Sequence, residues 1–142
     1  MQGYHTRMEY ADDLKMLKKF RMEKSIVMPD VALDNTLLWE NKVIVITDCN
    51  LRIIHATQNI FDMSGYKPQE VIGKKPDIFQ GEKTTSEERN VIRIAVDAQK
   101  PFDTIITNYK KDGTMYKCHI EAYPVFNRRG ECVNFIAVEN AA

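Results

Sequence analysis

PFDTIITNYK (101–110), TMYKCHIEAYPVF (114–126) and ECVNFIAVEN (131–140) are apolar, alternating runs. They are separated by Lys111-Asp112-Gly113 and by Asn127-Arg128-Arg129-Gly130. Asp-Gly and Arg-Gly between such runs predict hairpins, because Gly takes the positive φ that tight turns need. Val43–Asp48 and Leu51–Ala56 read as two more strands upstream. The order of two strands, helices and three strands predicts an α+β fold. It is a five-stranded antiparallel sheet with short helices on one face. Such a sheet forms a cup, which suits a ligand or a partner better than a catalytic cleft.

Composition narrows the function. The chain has 142 residues, room for one core plus some extra structure. Its 20 basic and 20 acidic residues balance, leaving no field to draw nucleic acid or an anionic membrane. No apolar run reaches transmembrane length, and the start is too charged for a signal peptide. Three cysteines, Cys49, Cys118 and Cys132, show no paired spacing and read as reduced thiols of a cytoplasmic protein.

Two regions are expected: a helical extension over residues 1–41 and a globular domain over 42–142. Tyr10, Leu14 and Leu17 fall at helical spacing, widened by Met16 and Phe20. Asp30 reads as the cap of a second short helix carrying Leu33, Leu37 and Leu38. The charges between these residues read as a solvated face. In the globular part, Gln58–Ser64 is a short helix stopped by Gly65, and Pro68–Ile72 another, ended by Gly73. Thr85-Ser86-Glu87-Glu88 is a capping box that starts the longest helix, about Ser86–Ala98. Its expected core face is Val91, Ile94, Ala95 and Ala98.

These residues resemble a family. TQNIFDMSGYKPQEVIG (57–73) resembles a segment of PAS domains. GKKPDIFQG (73–81) is similar to the flavin-binding loop of the LOV subclass. NYKKDG (108–113) resembles that subclass's next hairpin, and FIAVE (135–139) its last strand. The resemblance covers Val43–Asn140 and implies a PAS fold. Carried over by residue, the photoreactive cysteine position holds Pro76, the phosphate-pairing basic position Asp77, and the neighbouring Asn position Lys75. The hairpin's second Asn is Cys118 and the terminal Gln is Glu139. Only Gln80 and Asn108 remain as amide ligands. The resemblance therefore implies a LOV-like chain without flavin-adduct photochemistry, and no cofactor is expected, flavin included.

Strand alternation assigns the faces. Thr104, Ile106 and Asn108 point inward, as do Tyr116, Cys118, Ile120 and Ala122. Val133, Phe135, Ala137 and Glu139 join them, with Val43, Val45 and Thr47. Thr47, Gln80, Asn108, Cys118 and Glu139 are the candidate polar points of a pocket. Ile44, Ile46, Ile105, Tyr109, Ile136 and Val138 point outward. An apolar outer face needs a cover, supplied by the N-terminal helices of the same chain or of a second subunit. A homodimer through those helices or that face is the expected assembly, with a signalling partner in trans and neither nucleic acid nor membrane as partner.

Catalysis is not expected. Cys118 and His119 are adjacent on a strand and so face opposite ways, which rules out a nucleophile–base pair between them. No Cys/His spacing matches a zinc site. The chain ends soon after the last strand, so the expectation is a cut-out of a larger protein or a stand-alone module. The function read from the chain is a PAS sensory or protein-interaction module. The alternatives are a small-molecule or flavin-binding sensor and a ligand-free dimerisation module.

Overall fold

The computed structural model describes residues 9–23, 25–29 and 31–142. The elements are α1 (Ala11–Arg21), β1 (Ile26–Val27), α2 (Leu33–Leu38), β2 (Val43–Asp48) and β3 (Ile53–Ala56). After them come α3 (Ile60–Ser64), α4 (Pro68–Val71), a 3₁₀ turn at Pro76–Phe79, α5 (Ser86–Asp97), β4 (Phe102–Tyr109), β5 (Met115–Asn127) and β6 (Cys132–Ala141). No helix among the described residues is long and apolar enough to cross a membrane.

The sheet is antiparallel and has six strands in the order β1-β5-β6-β2-β3, with β4 also on β5. The sixth is β1, which the sequence reading missed: its two residues pair Ile26 with Asn127 and Val27 with Phe126. A two-residue strand carries no periodicity to detect. Both expected hairpins form. Gly113 and Gly130 sit at φ 90° and 81°, and their amides donate to Lys110 O and Asn127 O.

Two apolar layers sandwich the sheet. On the outer face, Ile44, Ile46, Ile136 and Val138 pack with Tyr10, Leu17, Leu33 and Leu37 of the N-terminal segment. The helices therefore cover their own sheet. On the inner face, Val43, Val45 and Ile53 pack with Ile60, Val71 and Phe79. Burying these side chains drives the layering, at roughly 1.5–3 kcal/mol for each large one.

Several expectations need correction. The face of α5 is rotated: Val91 and Ile94 are exposed, while Ile92 and Val96 turn to the sheet. The rotation is fixed at the helix start. Thr85 Oγ1 accepts from Glu88 N at 3.1 Å, and the Glu88 carboxylate accepts from Thr85 N at 3.1 Å. The same carboxylate takes the Thr107 amide and, at 3.2 Å, the Thr107 hydroxyl. The capping box thus also clasps the edge of β4. Val133 belongs to the outer layer, because β6 bulges there: Val125 pairs with Asn134, but Phe126 pairs with Cys132. An extra residue in one strand breaks the alternation.

The outer cover is also incomplete. Ile105 remains half exposed, and Tyr109 is covered by the Gly81–Lys83 loop, whose Lys83 amide donates to its phenol oxygen at 2.8 Å. Asp13 on α1 is not part of a solvated face. It is buried and accepts from Gln58 N at 2.8 Å, tying the helix to the entrance of α3. The expected cap Asp30 lies outside the described residues.

Candidate functional site

The inner face of the sheet and the helices over it enclose a cavity of about 210 Å³. Four of the strands supply alternate residues. β4 gives Ile106 and Asn108, β5 gives Ile120 and Ala122, β6 gives Phe135, Ala137 and Glu139, and β2 gives Thr47. The roof is Phe79, Gln80, Ile92 and Val96, and Lys75, Pro76 and Asp77 lie at one side. The pairings Thr47↔Phe135, Ile120↔Glu139 and Ala122↔Ala137 bring these side chains together from four strands.

All five candidate polar residues lie in or directly beside this cavity. Asn108, Thr47, Gln80 and Glu139 line it. Cys118 is fully buried just behind it, and its thiol donates to Glu139 Oε1 at 3.5 Å. Its neighbour His119 is on the other face, bound to Asp103 Oδ1 at 2.6 Å, so the two do not cooperate. The sequence reading did not foresee Leu51, Ile92 and Val96 as lining residues. Leu51 takes φ 68°, a conformation that apolar patterning does not announce.

The electrostatics centre on Glu139. Desolvation raises its pKa from 4.5 to about 7, against a smaller lowering by the Cys118 hydrogen bond. A carboxyl buried this way keeps its proton to a higher pH than an exposed one. Burial, then the nearby Glu139, pushes the Cys118 thiol far up, which makes it inert as a nucleophile. Tyr116, directly across from Asn108, is raised in the same way by burial. The Asn108 side chain, hydrogen-bonded to it, opposes that rise in part. Gln80 is held from behind, its Oε1 accepting from Arg89 Nε at 2.8 Å. That leaves its amide NH₂ as the group to turn inward.

The site can hold a small, flat, mainly apolar molecule with polar atoms along one edge. Its volume equals about seven waters, below the roughly 300 Å³ where drug-sized pockets begin. The residues fit the ring portion of a flavin: amides from Gln80 and Asn108, a protonated carboxyl from Glu139 and apolar walls. Lys75 and Arg89 add positive charge near the Pro76–Gln80 side, which offsets Asp77 for an anionic tail. Among the described residues that line the cavity, none is a cysteine.

A second, larger groove of about 760 Å³ lies between α1 and the outer face, lined in part by Lys19, Phe20, His55 and Val133. Burial, helped by Lys19, lowers the pKa of His55 there. Its lining also carries Asp12, Lys15, Glu23, Ser25, Asn127 and Asn134, a mixed-charge rim on the outer face; the inner cavity, walled by the sheet and roofed by helices, is the better candidate.

Known proteins place the chain. A family model described as PAS domain matches residues 41–140. Phototropin-2 of Oryza sativa subsp. japonica is 33% identical over 87 residues, 61% of this chain and 10% of that protein. A blue-light-activated histidine kinase of Brucella canis is 32% identical over 85 residues, 60% of this chain and 17% of that protein. The chain thus spans only a small part of the curated relatives it matches. A light-oxygen-voltage domain solved in work on a flavin analogue superposes with a TM-score of 0.72 at 23% identity, covering 80% of this chain and 86% of that one. These similarities overturn the expectation of no cofactor, which rested on Lys75, Pro76, Asp77, Cys118 and Glu139. Those residues leave a cavity of about 210 Å³ beside them. The chain belongs to the PAS domain family.

Proposed function

We propose that this chain is a sensory module of signal transduction that holds a small aromatic ligand of the flavin class in its inner cavity. The observation that carries the reading is the convergence of Gln80, Asn108 and Glu139 on one apolar cavity behind the sheet. The likeness to a histidine kinase named as blue-light-activated supports the choice of ligand class. A flavin would supply absorption of blue light. Gln80 and Asn108 would hold its polar edge, and Glu139, protonated, would donate where a carboxylate could only accept. Pro76, at the position that the LOV resemblance assigns to the photoreactive cysteine, has no thiol to bond a ring. The signal therefore passes through the hydrogen bonds of Asn108 and Glu139 to β4 and β6.

Residues 42–142 are the sensing unit and residues 1–41 its cover, and the output is a protein partner in trans. The apolar side of the N-terminal helices is spent on their own sheet. A homodimer would therefore use what they leave outward, such as Trp39 at the end of α2, 83% exposed. The test is native mass spectrometry with an absorption spectrum of freshly purified protein, then titration with riboflavin and with flavin mononucleotide. A retained or added flavin at one per chain, lost in Asn108→Leu, supports the reading. A ligand-free mass with no binding of either flavin refutes it.

A further inference from the structure

The outer face of the β4–β5 hairpin carries a group of side chains that the sensory reading does not use. Asp103 and Glu121 are directly paired across the two strands. Two carboxylates in that relation repel unless a cation stands between them. His119 is two residues from Glu121 along β5, on the same face, and its Nε2 lies 2.6 Å from Asp103 Oδ1. One ligand atom from each of the three lies within 4.8 Å of the others. All three sit on paired strands rather than loops, so the backbone fixes their spacing.

We propose that Asp103, His119 and Glu121 form a binding site for a divalent transition metal of the zinc class. One imidazole and two carboxylates suit zinc, cobalt or nickel. Calcium and magnesium favour sites built wholly of oxygen, and calcium wants six or more ligands. Three protein ligands with Asp103 exposed leave a coordination position for water or for a group on a partner. Neighbours orient the ligands: Tyr123 donates to Glu121 Oε2 at 3.3 Å. Lys42 lies 3.7 Å from Glu121 Oε1 but 3.4 Å from Glu40, so it is only a shared and distant counter-ion. The site stands on the back of the strands whose inner residues Ile106 and Ile120 line the cavity. A bound metal would cross-link β4 to β5 behind that wall.

The experiment is calorimetric titration of the full chain with Zn²⁺, and visible spectroscopy with Co²⁺. Wild type, His119→Gln and Asp103→Asn are compared. The expected result is one Zn²⁺ per chain, bound more weakly by tenfold or more in both variants, and a Co²⁺ spectrum with no thiolate charge-transfer band. Absence of binding at millimolar Zn²⁺ overturns the proposal, as does equal affinity in wild type and variants. A cobalt–thiolate band also overturns it, since it would assign the metal to Cys49 or Cys132. If His119→Gln lowers the melting temperature, Asp103→Asn, at a carboxylate 68% exposed, decides the matter alone.

Discussion

Replacing Glu139 by Gln tests the electrostatics of the cavity most directly. In the folded chain desolvation raises this carboxyl from 4.5 to about 7. In the unfolded chain it titrates near its ordinary value. Between about pH 4.5 and 7 the folded state therefore holds a proton that the unfolded state has released. Stability falls as pH rises through that window and is level above it. The interval corresponds to about 3 kcal/mol for a dry cavity, and to less where water enters. Gln keeps an oxygen to accept from the Cys118 thiol, loses the titration, and has nearly the same volume. Urea unfolding of both proteins should therefore be measured from pH 5 to 8. The Gln variant should gain on wild type as pH rises, by about 3 kcal/mol at most and with no further gain above pH 7. Parallel curves for the two proteins would refute the argument, because they would mean that Glu139 is ionised and solvated in the folded state.

Further outcomes follow from packing and the β4 edge. Cys118→Trp forces a large ring into a fully buried position behind the cavity and should cost about 1–3 kcal/mol in urea unfolding, with loss of any ligand. Gly81→Ala places a Cβ 2.4 Å from the Tyr109 ring, so the loop or the ring must move; a melting temperature equal to wild type would contradict the packing described. In Glu88, burial acts to raise the pKa but hydrogen bonds from Thr85 and Thr107 outweigh it and hold it low. Its stabilisation is present above the ordinary carboxylate range and is lost as pH falls through the folded value. Glu88→Ala should therefore destabilise by about 1–3 kcal/mol at pH 7, and by less at pH 3. Deleting residues 1–41 uncovers Ile44, Ile46, Ile136 and Val138 and should cause aggregation or a change of subunit number, read by light scattering.

The sequence by itself determined the sheet, its hairpins and most of its faces. A strand's side chains alternate with a period of two, so Asn108 carried Ile106 inward on β4, Ala122 carried Ile120 on β5, and Phe135 carried Ala137 and Glu139 on β6. The Asp-Gly and Arg-Gly turns needed only local backbone sterics. The separation of Cys118 from His119 was legible too, because adjacent strand residues face opposite ways. Tertiary structure decided the rest. The bulge that turns Val133 outward arises from pairing with a distant strand. The face that α5 presents depends on Glu88 reaching Thr107 across 19 residues, which overrides the apolar pattern of Val91 and Ile94. The raised pKa of Glu139 needs the walls of four strands around it before desolvation can act. The space for a ligand is a property of packing. A list of substituted positions could argue against a cofactor, but only the assembled sheet and helices give a cavity of about 210 Å³. The Asp103–His119–Glu121 group likewise exists only once β4 lies beside β5, because no spacing along the chain brings Asp103 to the other two.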